Sequence, residues 1–414
     1  MELGKYSMGI GDRFSHQAKA QLSGIKKAEA EGIVIIPVWN KSFREHQIIK
    51  SNPDETRAQA DEAVASLNWG HGHFVDADHV GLKTIDHFLN SCDFFTLDVA
   101  DFIGKKAEDK NLNEFVENNK KFCGSLNIPG IEKPFEITQD IIKTIAEKFL
   151  FAIEEAGRIY RRLAEAKGNG NFVVEVSMDE TDYPQSPIEL LFILSAIAKE
   201  NIPAQTIAPK FSGRFNKGVD YVGTVEDFEK EFEQDIAVIK FAVEKFALPK
   251  NLKLSVHSGS DKFAIYGSIN RALKKHNAGV HLKTAGTTWL EELIGLASAG
   301  GEGLQIAKEV YRKAYNRYDE LCGPYKTVID IDTKKLPDPD EVDKWNEEKY
   351  ASVLRHDQSN ANYNPNFRQL LHVGYKVAAE MGERYLNALS KYEETIAKNV
   401  IENVFDRHIK KIFY

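Results

Sequence analysis

The sequence predicts an α/β fold: a parallel (β/α)8 barrel of the TIM type, with insertions and a C-terminal helical extension. Three observations carry this expectation. Short runs rich in β-branched and aromatic residues alternate with longer amphipathic stretches, the signature of βαβ units and a parallel sheet. Eight such runs can be read along the chain, the number that closes this kind of barrel. The length of 414 residues suits one barrel with insertions. A doubly wound open sheet is the runner-up.

In chain order the predicted strands are Tyr6–Asp12, Ile33–Trp39, His73–Asp78, Phe94–Val99, Phe172–Met178, Ala204–Lys210, Leu252–Ser258 and Gly279–Thr284. Helical patterns lie between them. In 136–166 the residues Ile141, Ile142, Ile145, Phe149, Ile153 and Ile159 form one spiral stripe, and 226–247 reads the same way. The polar stretch 105–135 reads as an excursion between the fourth and fifth strands. After the eighth strand, helical patterns at 287–320 and 366–412 flank a Pro- and Asp-rich insertion, KKLPDPDEVDKW. The expected organisation is a catalytic barrel over 1–325 and a helical extension over 326–414, packed on the barrel and able to cover its mouth.

Composition narrows the function. Lys and Arg number 54 against 62 Asp and Glu, a net charge of −8, which argues against nonspecific nucleic-acid binding. Cys92, Cys123 and Cys322 are an odd number with no CxxC, so neither a disulfide framework nor a thiolate zinc site is expected. No signal-peptide pattern opens the sequence and no apolar run is long enough to span a membrane. The expectation is a cytoplasmic enzyme with a small-molecule substrate and no nucleic-acid or membrane partner, a homo-oligomer being left open.

In a parallel barrel, reacting groups sit at the C-terminal ends of strands. Those ends here carry polar and charged residues where buried strands normally continue in Val, Ile and Leu. They are Asp12 and Arg13, Asn40 and Lys41, Asp76, Asp78 and His79, Asp98 and Asp101, Glu175 and Asp179, Lys210, His257, and His281 with Lys283. Of the twelve histidines, His46, His87, His276 and His408 read as surface residues. His79, His257 and His281 share strand-end positions, and three neutral imidazoles with an open fourth position suit a divalent metal. Glu175 can replace one of them or join them. Asp78 beside His79 suits a general base, although it can equally cap the following helix. Asp76 reads as structural.

Three loops carry polar and glycine-rich sequence. Lys210-Phe-Ser-Gly-Arg214-Phe-Asn-Lys217-Gly-Val-Asp220 concentrates cations that can bind an anion. The segments His257–Lys262 and Lys283–Thr288 are shorter versions. No GxxxxGK[ST], GxGxxG or GxSxG is present, so nucleotide and serine-hydrolase chemistry lack support. A lysine Schiff base at Lys210 or Lys283, as in an aldolase or isomerase of another sugar acid, is the main enzymatic alternative. A non-catalytic sugar-acid-binding barrel is the other.

Several segments carry a family resemblance. GIGDRF (9–14), HFVDADHVGLKTID (73–86), FFTLDVADFIG (94–104), EVSMDETDYPQSP (175–187), IAPKFSGRFNKGVDYVG (207–223), KLSVHSGSDKF (253–263), HLKTAGTTWLEE (281–292) and LRHDQSNANYNPNFRQLLHVGYK (354–376) resemble the tagaturonate/fructuronate epimerases of hexuronate catabolism. The resemblance implies a metal-dependent isomerase that inverts one hydroxyl-bearing carbon of an anionic keto acid, D-tagaturonate or D-fructuronate. That carbon is β to the ketone, so its hydrogen is not acidic, and retro-aldol cleavage followed by re-addition is the expected route. Transient oxidation by NAD lacks a dinucleotide fingerprint. The expected site has His79, His257 and His281 on a divalent cation (Zn, Mn, Ni or Co). Asp78 and Asp220 are the acid/base pair, with Asp179 as the substitute for Asp220. Lys210, Arg214, Lys283, Glu175 and Asp179 are expected to bind substrate.

Overall fold

The computed structural model describes residues 1–284 and 287–414. Ten strands are present among the described residues: β1 (Tyr6–Gly11), β2 (Ile36–Ser42), β3 (Phe74–Val80), β4 (Phe94–Asp98), β5 (Gly124–Leu126), β6 (Phe135–Ile137), β7 (Val173–Ser177), β8 (Thr206–Ala208), β9 (Lys253–His257) and β10 (Val280–Lys283). Eight of them close a barrel in the order β1-β10-β9-β8-β7-β4-β3-β2, and every pairing is parallel. All eight predicted runs contribute a barrel strand. The expected second strand is displaced, starting at Ile36 rather than Ile33. The ladder runs on through Lys41 and Ser42, paired with Ala77 and Asp78, despite their polarity.

The excursion between β4 and β7 holds the helix Asp109–Asn119 and an antiparallel hairpin of β5 and β6. Its return helix, Gln139–Lys167, starts at Thr138, whose side chain accepts from the Ile141 backbone N–H. Beyond β10 the described chain is helical or looped. Helices Thr287–Ser298 and Gly301–Asn316 come first, and a relay of short helices runs from Pro365 to Phe413. The Pro- and Asp-rich insertion supplies only short turns, a 3-10 turn at Thr333–Lys335 and a helical one at Pro339–Val342.

Alternation along the strands sorts the barrel interior into levels. Leu3, Ile36, Val38, Phe74, Phe94 and Val173 form a separate buried apolar cluster. Two residues further along the same strands the inward side chains become polar: Asn40, Asp76, Thr96 and Glu175. The apolar plug thus supports a polar floor. On β10, His281 and Lys283 face inward by the same alternation, His281 one level deeper. Gly9 on β1 makes room for them: a Cβ there would lie 2.6 Å from Lys283 Cγ and 3.2 Å from His281 Nε2.

Gly9→Ala therefore forces the Lys283 stem or the β1 backbone to move. Overpacking of this kind costs about 1–3 kcal/mol. Denaturant unfolding should register that loss, with turnover falling in step because Lys283 is displaced.

Candidate active site

Lys283 is the centre of the polar floor. It is 3% exposed, and its ammonium lies 2.7 Å from Asp76 Oδ2, 2.8 Å from Asp78 Oδ1 and 3.1 Å from Glu175 Oε1. Thr96 Oγ1 accepts from it at 2.5 Å and reaches both Asp76 oxygens at 3.0 Å. Burial works against the lysine's charge, but the three carboxylates outweigh it and raise its pKa well above the ordinary value. Asp76 lies deepest. Burial, opposed by Lys283, pushes its pKa up to about 7. For Asp78, burial is outweighed by Lys283 and His79, so its pKa stays below the usual aspartate value and it is ionised at neutral pH.

Above this floor β3 is irregular. Its register against β4 shifts between Ala77 and Val80, and His79 has φ +52°, a left-handed conformation that few non-glycine residues adopt. Regular alternation would send Asp78 and His79 to opposite faces. The bulge turns both toward the mouth. His79 Nδ1 faces Asp98 Oδ2 at 3.3 Å, and Nε2 lies 3.8 Å from Asp78 Oδ1. The His79 and His257 rings meet edge to face with centroids 5.3 Å apart.

His257 lies between two carboxylates. Nε2 contacts Glu175 Oε1 at 2.7 Å, and Nδ1 faces Asp179 Oδ2 at 3.2 Å. Burial disfavours its charge, but Asp179 and Glu175 outweigh burial and lift its pKa to about 9. His79 is likewise raised well above the usual histidine value, with burial overcome by Asp78 and Asp98. Ser177 Oγ donates to Asp179 Oδ1 at 2.6 Å and holds that carboxylate in place. His79, Asp179 and His257 each offer a ligand atom, all within 4.8 Å of one another, and His79, Asp98 and Glu180 form a second, more exposed group.

The structure thus brings together some of the expected residues and separates others. His281 is in neither ligand group among the described residues. Its position two residues before Lys283 sets it on the lower level, where Nδ1 meets Ser7 Oγ at 2.9 Å. Burial pushes its pKa down to about 3, so it is neutral. Asp179, expected as a substrate contact or spare acid, stands with the two histidines instead. Asp220 sits at the start of the helix Phe263–His276, where it accepts from the backbone N–H of Ala264 and Tyr221 and from Gln358. That setting is a helix cap.

The three cations expected to share an anion pocket have separate partners. Lys283 is held by the carboxylates. Lys210 donates to the Thr181 carbonyl, and half-exposed Arg214 pairs with Asp330 at 3.4 Å. The Ser258–Lys262 loop is a clamp: Ser258 Oγ donates to the Lys283 carbonyl, and Ser260 Oγ accepts from the Gly218 N–H. The middle of the Lys283–Thr288 loop lies outside the described residues. His46 and His408, expected on the surface, are 5% and 0% exposed. His408 belongs to a buried network around Asp261, whose Oδ2 lies 3.0 Å from Arg368 and 3.2 Å from His356. That network ties the C-terminal helices to the loop following His257. Sequence reading missed it because its members are far apart in the chain. It also gave no role to Asn40, whose side-chain N and O are buried in register with Asp76 and have no partner. Its strand-end position was the available signal.

Comparison with known proteins shows where this barrel belongs. The family profile of the tagaturonate epimerases (UxaE) matches residues 1–412. The chain belongs to that family. A Thermotoga maritima protein described as tagaturonate/fructuronate epimerase is 26% identical to this chain, covering 97% of it and 80% of the relative. A glycerol-complexed crystal structure of fructuronate-tagaturonate epimerase from Cohnella laeviribosi superposes with TM-score 0.82 at 21% identity, over 100% of this chain and 82% of that one. The native crystal structure from the same organism gives 0.79 at 20% identity. At such identities these structures establish the shared barrel and C-terminal helices. The family is one of isomerase-class epimerases, and the chain is an enzyme of that class.

Lys283→Met takes the shared cation from Asp76 and Asp78 and leaves Glu175 with His257 alone. Breaking a buried ion pair from one side costs about 3–5 kcal/mol. Urea unfolding should show a loss of that order; a change under about 1 kcal/mol would mean the carboxylates are neutralised in another way.

Proposed function

We propose that the protein interconverts D-tagaturonate and D-fructuronate, using a divalent cation held by His79, Asp179 and His257. One observation carries the reading: the mouth gathers more buried negative charge than its lysine balances. Asp76, Asp78 and Glu175 are 1%, 8% and 0% exposed around a single ammonium, and Asp179 adds a fourth carboxylate. Burying so many carboxylates is costly unless further positive charge joins them. The raised pKa values of His79 and His257 express the same demand.

The donor set fits a metal. Two imidazoles and a carboxylate suit Zn, Mn, Ni or Co. Glu175 engages His257 Nε2 and leaves Nδ1 facing Asp179; this is the usual arrangement of a metal-ligating histidine backed by a carboxylate. When bound, such a cation supplies Lewis acidity toward sugar oxygens.

The chain's own groups supply the rest. The inverted carbon is β to the ketone, so its C–H electrons have no carbonyl to enter. Removing the proton of its hydroxyl instead lets that oxygen form an aldehyde while the adjacent C–C bond breaks. The bonding pair then passes into the ketone half. Asp78 is ionised, fixed by Lys283 and turned to the mouth by the bulge, and it takes this proton. The aldehyde half rotates, the pair held in the ketone half re-forms the C–C bond on its other face, and the new alkoxide regains the proton that Asp78 took, directly or through water. We also propose that residues 1–325 are the catalytic barrel and 326–414 the extension packed on it. No helix among the described residues is long and apolar enough to cross a membrane, and we propose a cytoplasmic location.

The reading is tested with the purified protein and keto-hexuronate, before and after chelation. Turnover should vanish on chelation and return with added divalent metal. His257→Ala and Asp179→Asn should each lose metal and activity together. Turnover unaffected by thorough chelation rejects the metal.

The C–C cleavage route makes a separate prediction. Deuterium placed on the inverted carbon should remain through many turnovers, and Asp78→Asn should keep its metal while losing nearly all turnover. Wash-out of that deuterium into water would reject the route.

A further inference from the structure

An anionic substrate needs a cationic anchor, and the three cations named from the sequence are occupied elsewhere. A different cationic group stands at the same end of the barrel. Arg13 follows β1, Arg44 lies in the helix after β2 (Phe43–Ile49), and Lys217 lies in the loop after β8. All three meet aromatic faces. The Arg13 guanidinium sits 4.4 Å from the Tyr375 ring centroid, while Arg44 and Lys217 sit 4.5 Å and 5.6 Å from that of Tyr325. The two tyrosine hydroxyls are 3.4 Å apart, which joins the three cations into one cluster. Arg13 also pairs with Glu45 at 3.1 Å. Arg44 and Lys217 have no carboxylate partner among the described residues.

The second observation is His372, one turn before Tyr375. It is 1% exposed, and both of its ring nitrogens are buried without a hydrogen-bond partner. A buried imidazole with neither nitrogen satisfied needs a reason. The loop carrying Lys217 packs directly on it. A Cβ at Gly218, where φ is +79°, would lie 3.2 Å from His372 Cβ. Burial and then Arg13 and Lys217 push the His372 pKa well below the usual value, so the ring is neutral and keeps one N–H to donate. The barrel loops and the C-terminal extension therefore bring together positive charge, two phenol hydroxyls and an unused imidazole donor, in a chain of net charge −8.

We propose that Arg13, Arg44 and Lys217, with His372 and the Tyr325–Tyr375 pair, receive the carboxylate of the sugar acid and so make the enzyme prefer a uronate to the neutral ketohexose. The proposal rests on the keto-hexuronate reading above. Arg44 and Lys217, resting on the Tyr325 ring face, can turn to an incoming carboxylate without abandoning a buried ion pair, while Arg13 stays anchored to Glu45 and adds its charge. An anchored carboxylate would also let the aldehyde half turn during inversion without escaping.

The test is calorimetric binding of the keto-hexuronate and of the ketohexose with the same stereochemistry, using the full, metal-supplemented protein, with turnover followed on the same preparations. Wild type should bind the keto-hexuronate at least tenfold more tightly. Lys217→Met with Arg44→Met should reduce that preference at least tenfold, mostly through Kd and KM, and Lys217→Arg should retain most of it. Circular dichroism and thermal midpoints check that the variants are folded. A double variant that keeps the wild-type preference, or a wild type without one, overturns the proposal. A binding preference that is intact and sensitive to these residues, without any epimerisation, instead rejects the parent reading and leaves the anion-binding cluster standing.

Discussion

One ammonium group inside the barrel carries much of this structure. Lys283 stands where β10 ends, and Asp76, Asp78 and Glu175 reach it from β3 and β7 within 3.1 Å. The three carboxylates could not share a dry space without it. The neighbouring features follow from that contact. Gly9 has no side chain because the lysine stem passes there. Thr96 is a hydroxyl because lysine and Asp76 both need a partner. Asp78 is ionised and pinned. Glu175 has one oxygen shared between Lys283 and His257, so the lysine also affects how that imidazole is oriented.

The barrel was legible in the sequence because its signal is local. Each strand announces itself as a short run of β-branched and aromatic residues, and all eight runs became strands. The same locality made Asp78, His79, Glu175 and His257 visible, since each is a charged or imidazole side chain where an apolar one is normal. The bulge at Ala77–Val80 was not legible. A register shift depends on how β3 sits against β4, and nothing in HFVDADHV states it.

Level and partnership were harder to read. His281 and Lys283 are both inward strand-end residues, but two positions separate a buried imidazole held by Ser7 from the head group at the mouth. Asp179 reads in sequence as one acid of several in EVSMDETDYP, and only the closure of the loop after β7 sets it beside His257. Asp220 looked like a free acid in a glycine-rich loop, yet three N–H groups occupy it. The links to the C-terminal helices were the least legible. The bond between Arg368 and Asp261 spans 107 residues, a separation that no periodicity can reveal.

The family, the barrel and the strand-end chemistry meet at the mouth, where His79, Asp179 and His257 converge. X-ray absorption at the metal edge of the reconstituted protein tests this ligand set most directly, because imidazole gives a distinctive multiple-scattering pattern. The account predicts two imidazoles with oxygen donors completing the sphere, and one imidazole after His79→Ala. A sphere with three imidazoles would bring His281 back as a ligand. One with none would remove the metal from this site altogether.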